Sequence, residues 1–239
     1  LRVNLARTGR AAAVAALAAE GITAVPHPLA ETALEVTGNA RKVQASQAYA
    51  AGLAELQDAA SQAVAEALPL ADGMRVLDHC AGGGGKTLAM AARARLELYA
   101  HDVQARRMSD LPDRARRAGA RVRLTETPET EGPFDLVLVD APCSGSGSWR
   151  RDPEGKWALT PDRLTALTRE QAAILDRAAA MVGTGGWLAY ATCSMLRDEN
   201  AGQIDRFAHR TPGWHRGAER SFSPLEGGDG FYLCMLRRA

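Results

Sequence analysis

A chain of 239 residues with 46% hydrophobic content can bury a full core, as one large domain or two small ones. No apolar run approaches the length of a bilayer span and no secretory pattern opens the chain, so a membrane-embedded class is excluded and a cytoplasmic protein is expected. The net charge of +1 argues weakly against a nucleic-acid partner. Charge is unevenly distributed, however: arginines bunch at Arg106, Arg107, Arg114, Arg116, Arg117, Arg121 and Arg123, then at Arg150 and Arg151, then at Arg237 and Arg238. The first group reads equally well as a solvated helix face. The four cysteines, at 80, 143, 193 and 234, form no CxxC pair and have no histidine cluster beside them, so no metal is expected, and disulfides are not expected in the cytoplasm. The chain opens on Leu1 rather than Met, which leaves room for an upstream domain.

Apolar density is even and no Gly/Ser linker divides the chain, so residues 1–50 are expected as a small lead-in and residues 51–239 as the main domain. Thr8 followed by Ala11 to Leu17 predicts a capped helix ending near Gly21, and Thr32 to Val36 a short strand before the Gly38-Asn39 turn. Gln57 to Leu68 predicts a helix stopped by Pro69; its Asp58 can be read as no more than a helix N-terminal charge. The pattern then alternates. Strands are predicted at Met74 to Asp78, Leu96 to His101, Arg121 to Thr125, Phe134 to Asp140 and Gly186 to Thr192. Helices are predicted at Lys86 to Arg95, Val103 to Arg117, Pro161 to Met181 and Glu199 to Arg210, the second kinked or split at Pro112. Gly230 to Arg237 is taken as the final strand. Strands alternating with helices give an α/β fold, a mostly parallel sheet covered on both faces.

Four strand ends carry polar chemistry. The first runs into Asp78-His-Cys80-Ala81-Gly82-Gly83-Gly84-Gly85-Lys86-Thr87, whose glycines let backbone amides approach a ligand at a helix start. The spacing before Lys86-Thr87 is not that of a phosphate loop, which disfavours a nucleoside triphosphate. Asp78 is read mildly in favour of a loop-organising carboxylate. The next strand ends at Asp102, where a carboxylate commonly accepts from both hydroxyls of a ribose. Two later strands end in cysteine loops, Asp140-Ala-Pro142-Cys143-Ser-Gly and Thr192-Cys193-Ser194. The carboxyl ends of parallel strands face the ligand crevice, so these thiols are placed to attack rather than merely to pack.

The Pro-Cys loop at 142–143 and the Thr-Cys loop at 192–193 make the chain resemble RNA cytosine-5 methyltransferases of the RsmB/NOL1/NSUN type, closest to bacterial RsmB-like 16S rRNA enzymes. The likeness runs from Leu1-Arg-Val-Asn to Gly230-Phe-Tyr. It implies a Rossmann-like class I fold dependent on S-adenosylmethionine, with a seven-stranded sheet. It also implies that the segment Cys80, Ala81, Gly82, Gly83, Gly84, Gly85 and Lys86 holds the methionine part of the cofactor, Asp102 the ribose and Arg107 its support, with Asp140 also at the cofactor. The family places an acid for the adenine near Thr125 or Glu126, and it usually has Ala-Pro at or beside Gly82-Gly83; here those positions differ.

Cytosine carbon 5 is a poor nucleophile until a thiolate adds to carbon 6. The resemblance assigns that attack to Cys193, product release to Cys143, contact with N3 to Asp140, and orientation of Asp140 and the base to Lys86. Pro142 then fixes a loop whose carbonyl or neighbours read the exocyclic amine. Trp149-Arg150-Arg151-Asp-Pro153-Glu-Gly-Lys156-Trp157 matches the family's Arg-x-Pro-x-x-Lys-Trp stretch, so Arg150, Arg151 and Lys156 are candidates for RNA phosphates, and Trp157 for either stacking or packing. Cys80 and Cys234 are read as small buried hydrophobes rather than nucleophiles, and His79, His101 and His209 as structural or surface residues. The expected partner is ribosomal RNA before transfer RNA, and the protein is expected as a monomer. Two other readings stay open: a DNA cytosine-5 methyltransferase, disfavoured by the Thr-Cys loop, and a catalytically idle RNA-binding or ribosome-assembly module.

Overall fold

The computed structural model describes residues 1–239. The first part of the chain runs β1 (Arg2–Val3), α1 (Arg10–Ala19), β2 (Thr23–Pro26), β3 (Leu34–Gly38), α2 (Gln47–Ala50) and β4 (Ala54–Glu55). There follow α3 (Ala59–Glu66), β5 (Arg75–Asp78), α4 (Gly85–Ala91), β6 (Glu97–Ala100), α5 (Leu111–Ala118), β7 (Arg123–Leu124) and β8 (Phe134–Asp140). The last part comprises α6 (Pro153–Ala158), α7 (Pro161–Met181), β9 (Val182–Thr192), α8 (Ala201–Arg210), β10 (Trp214–Phe222) and β11 (Phe231–Arg238).

Seven strands form one sheet in the order β10-β11-β9-β8-β5-β6-β7, with β11 antiparallel to both of its neighbours, β10 and β9, and the other pairings parallel. In β8, Leu136 to Val139 are all 0% exposed, as a strand covered on both faces requires. One face carries Leu77, Val137, Leu188 and Phe207; the other carries Val76, Leu136, Leu138 and Leu233. Strand order reverses between β5 and β8, which places the crevice of an open α/β sheet beyond Asp78 and Asp140.

Residues 1–50 have an apolar cluster of their own around Val3, Leu17, Ile22 and Leu34, and they reach the glycine loop. Buried Arg2 donates through Nη1 to Gly85 O at 2.8 Å, while Asn4 ties Gly52 O to Ala118 O. Glu55, on β4, receives Arg114 and Arg117, so two of the bunched arginines serve this packing.

Several elements differ from the sequence expectation. β2, antiparallel to β3, carries the pattern of an exposed ribbon with only Ala24 buried. The α1 helix is capped by Gly9 and not by Thr8, with no side-chain cap. The predicted Val103 to Arg117 helix becomes a 3-10 turn, Ala105–Met108, followed by α5, which Pro112 opens in the first-turn position where its missing N–H costs nothing. β10 is an exposed edge strand and α6 buries no residue, so neither carries an apolar periodicity to be read. Asp58 does cap α3, its Oδ1 accepting from Ala60 N at 2.8 Å and Ser61 N at 3.4 Å.

Candidate functional site

The crevice begins at the loop between β5 and α4. Gly82 and Gly84 have φ of +51° and +77°, and a Cβ on Gly84 would lie 2.2 Å from Leu111 Cδ1, so only glycine fits there. The loop is pinned by Asp102, which follows β6. Its Oδ2 accepts from Gly82 N and from Arg107 Nη1, both at 3.0 Å, and its Oδ1 from Gln104 N at 2.9 Å. Asp102 is buried and Arg107 half-exposed, so this carboxylate both shapes the loop and faces the cleft. Oδ1, with one partner, keeps a lone pair for a ligand hydroxyl.

Two cavities adjoin here, of about 280 Å³ and about 460 Å³, and they share Cys80, Arg107 and Pro142. The first is walled by the stacked rings of His79 and His101, whose centroids are 5.0 Å apart, together with Ile174 and Arg177 from α7. Burial, with His101 and Arg177 nearby, pulls the His79 pKa down to about 4, so its ring is neutral near pH 7. These histidines, set aside in the sequence, each stand just beyond a strand end, which was the available signal. Thr125 lines neither cavity: its carbonyl lies 3.0 Å from His101 Nδ1 and its hydroxyl accepts from Thr127 N. Burial pushes the Cys80 thiol well above its ordinary range, which keeps it a neutral wall residue.

The second cavity is lined by Lys86, Asp140, Cys143 and Cys193, the four residues singled out for chemistry, and by Arg163 of α7. Lys86 is 6% exposed, and its Nζ donates to Asp140 Oδ2 at 2.7 Å and lies 4.6 Å from the centroid of the Phe231 ring. Asp140 keeps part of its carboxylate open to the cleft. Asp78 beneath them is 1% exposed and accepts from Thr87 Oγ1 at 2.6 Å; burial raises its pKa to about 7.

The two thiols meet. Cys143 Sγ and Cys193 Sγ are 3.4 Å apart. The Cys143 thiol is driven far above its ordinary range, first by its contact with the Cys193 sulfur and then by burial. Cys193 is lowered, first by accepting from Cys143, against burial and the charge of Asp140, with Lys86 adding to the lowering. The pair is therefore asymmetric: Cys193 is the more readily ionised thiol and Cys143 the more firmly protonated one.

Sequence reading missed Glu199 and Asn200. Glu199 is 0% exposed and accepts from Ser144 N, Ser144 Oγ, Ser194 Oγ and Gln171 Nε2. Asn200 bridges Thr192 Oγ1 and Ser194 O. Gln171 also donates to Pro142 O at 2.9 Å, so that carbonyl is already engaged. Arg151 is paired with the buried carboxylate of Asp229, whereas Arg150 and Lys156 are exposed and make no ion pair. Lys156 Nζ lies 5.2 Å from the ring centroid of Trp157, which is 81% exposed. No helix is long and apolar enough to cross a membrane.

Residues 65–236 match the family model described as 16S rRNA methyltransferase RsmB/F. The ribosomal RNA small subunit methyltransferase B of Xanthomonas campestris is 37% identical over all of this chain and that of Salmonella arizonae 33% over 99% of it; the chain spans 60% and 58% of their lengths. Among solved structures, a methyltransferase homolog from Pyrococcus horikoshii superposes with a TM-score of 0.85 at 24% identity, covering all of this chain and 85% of that one. NSun6 from Pyrococcus horikoshii with SFG superposes at 0.84 and 18% identity, covering 99% of this chain and 89% of that one. The fold is thus the Rossmann-like fold of these methyltransferases.

Proposed function

The chain belongs to the RsmB/F family of 16S rRNA methyltransferases, and on that premise we propose that it methylates carbon 5 of a cytosine in RNA, ribosomal in preference to transfer RNA, through a covalent bond from Cys193 to carbon 6. The observation that carries this reading is the contact of two strand-end thiols at 3.4 Å with opposite shifts in acidity. A thiolate for attack and a protonated thiol beside it are the two forms that addition and later release require.

S-adenosylmethionine suits the two adjoining cavities. Asp102 offers an acceptor for a ribose, the neutral His79 stacked on His101 walls the space for a base, and the Gly82 to Gly85 backbone leaves room for the amino-acid end. When bound it supplies an electrophilic methyl group. Cys193 Sγ attacks carbon 6 of the cytosine, and the electron density passes through the ring toward N3. Asp140, oriented by Lys86, delivers a proton to N3 as the carbon 6 bond forms, so that no anion is left on the ring, and takes it back when the product is released. After carbon 5 has taken the methyl group, a base drawn from solvent at the open cleft removes its remaining proton, the C–H electron pair forms the carbon 5–carbon 6 double bond, and the Cys193–carbon 6 bond breaks with its pair leaving on sulfur. Cys143, whose proton lies against that sulfur, protonates it and aids departure.

We assign the transfer to residues 51–239, with residues 1–50 buttressing the glycine loop through Arg2, in a monomeric cytoplasmic protein. Arg150 and Lys156 are the residues for RNA phosphates, and Arg151 acts mainly through Asp229. Bisulfite sequencing of ribosomal and transfer RNA, from cells lacking the protein and from cells given it back, tests the reading. One or more cytosines should lose and regain protection; unchanged protection everywhere would overturn it.

A further inference from the structure

The residue after each site cysteine is a serine, and both serines end on one carboxylate. Glu199 Oε1 accepts from Ser144 N at 2.8 Å and Gln171 Nε2 at 3.0 Å; Oε2 accepts from Ser144 Oγ and Ser194 Oγ, both at 2.5 Å. The two serine hydroxyls are 3.3 Å apart, and Ser146 Oγ joins them at 3.0 Å from Ser194 Oγ. Glu199 sits just ahead of α8, outside both cysteine loops, and its carbonyl accepts from Tyr190 Oη at 2.7 Å, which fixes it to β9. A carboxylate is acceptor-only, and four donors converge on this one in a site without solvent.

We propose that Glu199 is the positioning residue of the site, a clamp that holds the Cys143 and Cys193 loops together so that the two sulfurs meet. It touches neither thiol and no reacting atom. An amide in its place puts an NH2 where Oε2 takes the two serine hydroxyls, so both must turn from donating to accepting and the charge-assisted bonds that hold the two loops are lost. The loops follow different strands, β8 and β9, and are also tied by Gly147 N to Cys193 O and by Met195 N to Ser146 Oγ at 2.8 Å, but Glu199 alone takes the serine that follows each cysteine on one carboxylate. The catalytic meaning of the clamp rests on the function proposed above. The clamp itself does not.

The reporter is disulfide formation between Cys143 and Cys193 in the reduced 239-residue chain treated with diamide. Each thiol gives up a proton and an electron, the S–S bond forms, and the azo group of diamide takes up both pairs and becomes a hydrazine. Peptide mapping identifies the bond, and calorimetry with S-adenosylhomocysteine checks that the cofactor cleft is intact. In Glu199→Gln the disulfide should form about tenfold more slowly or worse, with S-adenosylhomocysteine affinity within about threefold of wild type; Glu199→Asp, which keeps both oxygens, should recover part of the rate. Geometry and charge act in opposite senses here. The Cys143 thiol is held up by the Cys193 sulfur and by burial, and the Glu199 charge adds to this, so losing the charge alone would ease ionisation and speed oxidation.

Single-turnover methyl transfer should fall with the disulfide rate. A disulfide rate within about twofold of wild type in a Glu199→Gln protein that binds S-adenosylhomocysteine would overturn the clamp. If that variant fails to bind, Ser144→Ala/Ser194→Ala, which removes both hydroxyl arms, is read by the same criterion, and an unchanged rate there overturns it as well. Absence of methyl transfer from the wild type would sink the proposed function and leave this result standing, since the disulfide needs neither RNA nor cofactor.

Discussion

Replacing Asp102 with Asn separates two duties of one carboxylate. In the folded chain it holds Gly82 N, Gln104 N and Arg107 Nη1, and under the proposed function its free lone pair takes a ribose hydroxyl. Asn keeps the shape but makes one of the two atoms a donor, so at least one backbone N–H loses its partner. Hydrogen bonds to a charged group contribute about 1.5–3 kcal/mol each. The Arg107 share is discounted because that guanidinium is half-exposed. The glycine loop would thus lose about 1–2 kcal/mol of its order, and a ligand would lose the ribose contact besides. Together these predict a fall in S-adenosylhomocysteine affinity of about 2–3 kcal/mol, roughly 30- to 150-fold. Titration calorimetry measures it, with thermal unfolding alongside. A lower melting temperature with unchanged affinity would show that Asp102 serves only the loop and that the ribose lies elsewhere.

The thiol asymmetry predicts that iodoacetamide alkylates Cys193 first, with a pH midpoint below that of an ordinary cysteine, and that Cys143 reacts appreciably only at higher pH; peptide mapping over a pH series would refute this if Cys143 reacted first. Buried Asp78 keeps its proton up to about pH 7, while the unfolded chain releases it near 3.8. The native state therefore binds more protons across that window, and stability falls as pH rises through it. Urea unfolding of wild type and Asp78→Asn at about pH 5 and about pH 7.5 should show the smaller pH dependence in the variant; equal dependence would contradict the assignment. Replacing Arg150 and Lys156 together by Ala should reduce the slope of log affinity for RNA against log salt by about 1–2, whereas Arg151→Ala should chiefly lower the melting temperature by stranding Asp229.

The parallel core was legible in the sequence because strands buried on both faces are unbroken apolar runs; Phe134 to Asp140 and the helix Pro161 to Met181 lie where the pattern put them. Polar strand ends marked the crevice, and Lys86, Asp140, Cys143 and Cys193 do converge there. What escaped lacks a local pattern. β10 is exposed along nearly its whole length and α6 buries no residue, so neither alternates between buried apolar and exposed polar positions. Glu199 looked like an ordinary helix-start acid, since nothing nearby in sequence reveals that Ser144, 55 residues away, folds onto it. The partner of Arg151 was equally remote: Asp152 and Glu154 are close in sequence, yet Asp229 receives it. Contacts made only through tertiary structure leave no periodicity to read.

The central claim is that Cys193 bonds to the base and that Cys143 is needed to let it go. Cys143→Ala protein, incubated with S-adenosylmethionine and small-subunit ribosomal RNA and run on a denaturing gel, tests this directly. The account predicts a slow-migrating protein–RNA band whose digestion yields a Cys193 peptide carrying a methylated cytidine, and no band from the Cys143→Ala/Cys193→Ala protein. A band that persists in the double variant, or a nucleotide mass on any residue other than Cys193, would contradict it.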